Sequence, residues 1–178
     1  MSDVTDLRLI TSARESRVAR FRRWGLIIVP LAAILFQVYL PRFVQFFQYL
    51  EMPLLVTVYF SLMRRDQVSG TFIGATIGLV QDSLSDQPLG MFGIAKTLVG
   101  YWAASVGMRI DVDHLVIRFL LCFFFYCCHE TMHWIEARAL LGQQQAVFDA
   151  QQMVLVGLLN AIVGVFLFLF LDKLKERN

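Results

Sequence analysis

The sequence predicts an all-α integral membrane protein of six transmembrane helices. Of its 178 residues 57% are hydrophobic, 16 are phenylalanine and the mean hydropathy is +0.60, against about half apolar residues in a soluble chain. The apolar residues fall into runs, and at about 20 residues per helix the length has room for about six spans and little else. The only long polar stretches, 1–23 and 136–152, are too short to bury cores of their own. The chain therefore divides into a basic amphipathic cytoplasmic segment over 1–23, a six-helix domain over 24–172 and a basic cytoplasmic tail over 173–178. Any function must sit in or beside the membrane.

Residues 5–23 mix Leu7, Leu9, Ile10, Val18 and Phe21 with arginines, which suits either a helix lying on an anionic leaflet or a disordered topogenic tail. The first span is expected from Trp24 to Leu40, kinked at Pro30. It reads as an uncleaved signal anchor, since no small-residue cleavage site follows it. Pro53 to Met63 is too short to cross alone. Either Pro41 to Met63 is one kinked helix, or Pro41 to Leu50 lies in the outer interface ahead of a short span. The aromatics Phe43, Phe46, Phe47 and Tyr49 favour the second reading. Arg64, Arg65 and Asp66 form an inner turn, and a third span runs from Val68 to Leu84. Ser85 to Pro88 form an outer turn, and Pro88 is placed to open the fourth span, Leu89 to Gly107. Arg109, Asp111, Asp113, His114 and Arg118 mark an inner loop. The fifth span covers Leu115 to Trp134, an outer loop carries Glu136, Arg138, Gln143 to Gln145 and Asp149, and the sixth span is Met153 to Leu171.

Charge agrees with this threading. Arg8, Arg14, Arg17, Arg20, Arg22 and Arg23 precede the first apolar run, and Lys173, Lys175 and Arg177 follow the last. The positive-inside rule places both termini in the cytoplasm, so the number of spans is even. Arg42 and Arg138 are then the only basic residues outside. Cys122, Cys127 and Cys128 fall in one apolar segment and read as packing residues, not a disulfide framework.

Ionised groups inside a span are costly and need partners, which singles out Asp82 and Lys96. Gly70, Gly74 and Gly78 recur every four residues and make a small-residue groove where another backbone, of this chain or of a partner, can approach closely. Gly93, Gly100 and Gly107 recur every seven, staying within ~40° on one helix face with Lys96 beside them. The sixth span repeats the device with Gly157, Asn160 and Gly164. These three faces are expected to meet at a packed centre, with Asp82 and Lys96 joined directly or through water. Such a pair serves either function or the locking of two helices.

His129, Glu130, Thr131, Met132 and His133 fit H-E-x-x-H, the pattern that places two imidazoles on one helix face toward zinc with a glutamate as general base. A catalytic zinc needs a third ligand and an open water position, and Glu136 and Asp149 lie in a loop. His129 and His133 therefore read as polar residues at the outer end of the fifth span, with an intramembrane zinc protease as the lesser alternative. No cofactor is expected. No phosphate-cradling glycine loop is present, and the membrane-flanking position of the basic residues argues against nucleic acid.

The segment Gly74 to Tyr101, with G-x-x-x-G-L-x-Q-D-x-x-S, then P-L-G, then K-T-L-V-G-Y, resembles the MreD family of bacterial rod shape-determining membrane proteins. Gly78, Leu79, Asp82, Pro88, Leu89 and Gly90 carry the resemblance most specifically, and Pro53 and the Arg64 and Arg65 pair extend it. The arginine-rich N-terminus and the H-E-x-x-H element are not features of that family. The resemblance implies a non-enzymatic scaffold of the elongation complex in the bacterial inner membrane, supporting cell shape and lateral-wall peptidoglycan synthesis. It implies direct binding of MreC, a single-span protein, and indirect association with MreB, RodA and a class B penicillin-binding transpeptidase. A second copy of the chain is a further candidate partner, beside membrane lipids. It also implies a fold similar to the substrate-capture subunits of energy-coupling-factor vitamin transporters, which supplies the alternative of a small-molecule capture subunit.

Overall fold

The computed structural model describes residues 24–85, 88–139, 142 and 149–174. The amphipathic segment 1–23, Asp86 and Gln87 of the outer turn, Gln143 to Gln145 and the tail beyond Leu174 lie outside the described residues. Among the described residues there are six α-helices: α1 (Gly25–Tyr39), α2 (Met52–Arg64), α3 (Gln67–Leu84), α4 (Met91–Gly107), α5 (Leu115–Ala139) and α6 (Ala150–Leu171). Short 3-10 turns cover Leu40–Arg42, Gln45–Tyr49 and Asp172–Leu174, and the described residues contain no strand. Four helical stretches, Gly25–Arg42, Gln45–Arg64, Leu115–Ala139 and Ala150–Leu171, are long and apolar enough to cross a membrane. The exterior matches: Ile27, Phe72, Leu120, Phe124, Phe166 and Phe170 are all exposed. The chain is an all-α membrane protein.

The centre of the bundle is α2. Every residue from Pro53 to Met63 is buried, and Tyr59 and Phe60 lie among Leu54, Leu55, Leu62 and Phe168 in one continuous core. A helix of 13 residues is roughly 20 Å long, so α2 is shorter than its neighbours. Leu50, in extended conformation, separates it from the preceding 3-10 turn. The single kinked helix over 41–63 is thereby ruled out.

The glycines behave differently from the three-way meeting expected of them. Those of α3 and α4 seal these two helices against each other: a Cβ on Gly70 meets the Gly100 carbonyl oxygen at 2.5 Å and the Ala104 methyl at 2.8 Å. On Gly74 it meets the Lys96 carbonyl, and on Gly78 the Phe92 carbonyl. The pairing of rising with falling numbers makes α3 and α4 antiparallel. Gly107 instead approaches the Leu62 carbonyl of α2, while Gly157 packs on Phe123 and Tyr126 and Gly164 on Cys122 and Leu55. Large side chains, Tyr59, Phe60, Leu54, Leu55, Leu62 and Phe168, fill the centre. The glycines of α3, with Gly100 and Gly107 of α4, lie where backbones touch, and those of α6 lie against side chains.

Element ends depart from the expected limits in three places. Pro88 does not open α4, which begins at Met91 after Gly90, a residue with φ +102°. Glu136 and Arg138 belong to α5, which runs five residues past Trp134, and not to a loop. α6 starts at Ala150, where Asp149 accepts the Gln152 amide at 3.0 Å. At the opposite end Arg65 (φ 52°) turns the chain and Asp66 caps α3 by accepting the Ser69 amide at 2.8 Å. Asp66→Ala should cost about 1 kcal/mol, measured by thermal unfolding in detergent. Hydrogen bonds from the side chain and backbone of Ser69 hold the Asp66 carboxyl below its ordinary range. The cap should therefore contribute fully above that range and fade as pH falls through the lowered value.

Candidate functional site

Asp82 and Lys96 are both buried, at 2% and 0% exposure, and they do not pair. The Asp82 carboxylate is spent on backbone: Oδ2 accepts the amides of Gly90 (2.9 Å) and Gly93 (3.0 Å), and Oδ1 accepts that of Phe92 (3.0 Å). These are orphan donors of the first turn of α4, and the positive end of the helix favours a carboxylate there. Asp82 is thus a cap supplied from the neighbouring helix. Gly90 takes a left-handed conformation so that its own amide can join the set, which a side chain would strain. Exposed Pro88 closes the turn by offering its carbonyl to the Met91 amide. Asp82→Ala, leaving three buried amides without acceptors at about 1–3 kcal/mol each before water enters, should remove most folded protein. Asp82→Asn, which keeps one oxygen, should retain more of it in the same membrane-fraction assay.

Lys96 turns instead toward α2 and α5. Its Nζ lies 3.6 Å from Glu51 Oε2, 3.2 Å from His129 Nε2 and 4.3 Å from the centroid of the Phe92 ring. An ammonium only donates, so His129 accepts at Nε2 and carries its proton on Nδ1, 3.7 Å from Glu130 Oε1. Phe92 stacks on both imidazoles, with centroids 6.1 Å from His129 and 5.3 Å from His133. Asn160, fully buried, ties the other side of Glu51: its Oδ1 accepts the Glu51 amide at 2.8 Å, and its Nδ2 donates to the carbonyls of Tyr49 (2.7 Å) and Val156 (3.0 Å).

Glu51 is therefore the hinge of the site, joining Lys96 to Asn160. Its position directly before Met52 and Pro53, an acid at the mouth of an apolar run, was the available signal. A second polar cluster also lay hidden at the far end of the bundle. Arg118, expected in a loop, is buried in the first turn of α5, donating from Nε to the Val112 carbonyl (2.7 Å) and from Nη1 to Asp172 (2.6 Å). Tyr59 donates to the other Asp172 oxygen at 3.0 Å.

The H-E-x-x-H residues do not suit zinc in this arrangement. The Nε2 lone pair of His129 faces an ammonium, and a zinc ion there would meet like charge. Among the described residues no group of three or more His, Cys, Asp and Glu side chains is arranged to hold a metal ion.

Above Glu51 lies a polar cavity of about 510 Å³, walled by Tyr126, Glu130 and Trp134 of α5 and by Asp149, Gln152 and Val156 from the start of α6. It exists because α2 starts level with Asn160, ten residues into α6, roughly 15 Å along that helix. The short helix leaves the space above it to the 3-10 segment and to solvent. Comparison with protein-family models, with curated proteins and with solved structures finds no match.

Proposed function

We propose that the chain is a non-enzymatic scaffold of the MreD kind, crossing the bacterial inner membrane six times with both termini in the cytoplasm and binding an MreC-like partner. The observation that carries this reading is the role of the residues behind the resemblance. Asp82, Pro88 and Gly90, with Gly74 and Gly78 beside them, serve to lock α3 onto α4. Residues that rigidify a hairpin suit a protein that presents a surface and does no chemistry. Six spans follow if α3 and α4 cross as this sealed pair. Their lower apolar content is then offset by backbones that face each other and not lipid. The segment 40–50 lies in the outer interface under this reading.

Gly70, Gly74 and Gly78, being used internally, leave the partner another seat. We assign it to the apolar groove of about 340 Å³ between α1 and α3, lined by Leu26, Ile27, Leu31, Phe72, Ile73 and Val80. α1 is the least buried of the four apolar helical stretches, so the groove is open to a single incoming helix. MreB, RodA and a class B penicillin-binding transpeptidase are reached through that partner.

The test is deletion of the gene in its own host, followed by affinity purification of the tagged, complementing protein. Recovery of a single-span protein with an outer domain, together with loss of rod shape in the deletion, supports the scaffold. Normal shape and no such partner would contradict it. The polar cavity favours the second reading, a small-molecule capture subunit similar in fold to those of energy-coupling-factor transporters. A zinc protease would require stoichiometric zinc, and protein purified without a histidine tag is expected to hold none by elemental analysis.

A further inference from the structure

The cavity above Glu51 has a chemistry that the scaffold reading does not use. Three carboxylates reach it, from Glu51 at the floor, Glu130 on α5 and Asp149 at the start of α6. No lysine, arginine or histidine is among the described residues lining it. Aromatic rings of Tyr126 and Trp134 share the same helix face as Glu130, at spacings of four and eight residues from Tyr126, so acid and ring alternate up one wall. At the floor the buried Glu51 Oε2 is ion-paired with the Lys96 ammonium at 3.6 Å, which leaves Glu130 and Asp149 on the walls as the acids that meet a ligand.

We propose that this cavity binds an ammonium group, presented either by a soluble amine or by the amino headgroup of a lipid. Carboxylates lining a recess with no cationic side chain among its described lining residues attract a cation and repel anions. A carboxylate donates nothing when ionised, so the ligand must supply the donors, which an ammonium does three times over. The rings add attraction for the positive charge and apolar area for the carbon next to it. At about 510 Å³ the space exceeds a metal ion or a lone ammonium and falls in the range of small-molecule sites. The amine therefore comes with a body attached. This inference stands apart from the scaffold reading, because neither the α1 and α3 groove nor the glycine hairpin contributes to the cavity.

The experiment uses the full chain in nanodiscs of phosphatidylglycerol, titrated calorimetrically with phenethylammonium and with its neutral counterpart 2-phenylethanol. The cation should bind saturably and the alcohol about tenfold more weakly or not at all, as expected when charge-assisted hydrogen bonds are lost. Glu130→Gln and Asp149→Asn should each weaken the cation about tenfold while leaving the alcohol unchanged. Asn at 149 keeps the helix cap, so at least that variant folds. Adding phosphatidylethanolamine to the nanodiscs separates the two sources. A lipid ligand would be retained in native mass spectrometry and would compete with phenethylammonium, whereas N-acetylated phosphatidylethanolamine would not. With a soluble amine as ligand, neither lipid would matter. Equal binding of both probes would overturn the proposal, as would absence of both phenethylammonium binding and lipid retention. Folded Glu130→Gln and Asp149→Asn proteins that bind the cation as the parent does would also overturn it.

Discussion

Gly74→Leu is expected to yield almost no folded protein, and Gly74→Ala alone to cost at least the upper end of the 1–3 kcal/mol typical of overpacking. A methyl group at 74 would overlap the Lys96 carbonyl of α4, with the Thr97 Cα 3.1 Å away. Backbone cannot swing aside as a side chain end can. The helices must part, which also pulls the amides of Gly90, Phe92 and Gly93 from Asp82. Gly78→Ala, facing the Phe92 carbonyl and the Gly93 Cα at 2.7 Å, should behave alike. Val68→Leu, on the same helix at 64% exposure, should be neutral. Thermal unfolding in detergent with fluorescence-detected size exclusion measures all four. If both alanine variants matched the parent, α3 and α4 would not be in backbone contact.

Glu51→Ala should cost about 3–5 kcal/mol, because it strands the ammonium of Lys96 in the core. Lys96→Met should cost less, since Glu51 is 14% exposed on its side chain and borders a cavity that water can enter. The double variant Glu51→Ala with Lys96→Met should recover part of the loss. The coupling is read from a double-mutant cycle in the same unfolding assay. Additive losses would show that the two side chains do not interact. Asp82→Asn combined with Lys96→Met should be additive, because Asp82 spends its oxygens on α4 amides.

The helices were legible in sequence because apolar runs bounded by charge or proline report span-sized segments directly, and all six appear close to where those runs lie. The isolated short helix after Pro53 was legible too, from its length together with the aromatics Phe43, Phe46, Phe47 and Tyr49 before it. What one side chain touches was not. Asp82 and Lys96 are two charges on adjacent helices, and proximity in sequence suggested a pair. The deciding fact is that α4 begins at Met91, which puts three free amides over Asp82, and a proline at 88 pointed to an earlier start. Glu51 was missed because its partner Lys96 is 45 residues away and its other anchor, Asn160, is 109 away. Such partners emerge only from packing. The glycine spacings correctly marked close backbone contact, yet periodicity carries no information on which helix makes it.

The scaffold proposed above seats an outside helix in the groove between α1 and α3. Phe72 in that groove and Phe166 on α6 are each 68% exposed, so a photo-crosslinking residue at either position samples the membrane equally well. In cells of the native host, the Phe72 position should give a discrete adduct with a single-span protein bearing an outer domain, and the Phe166 position should give lipid adducts only. The same protein captured equally at both positions, or at neither, would contradict the account.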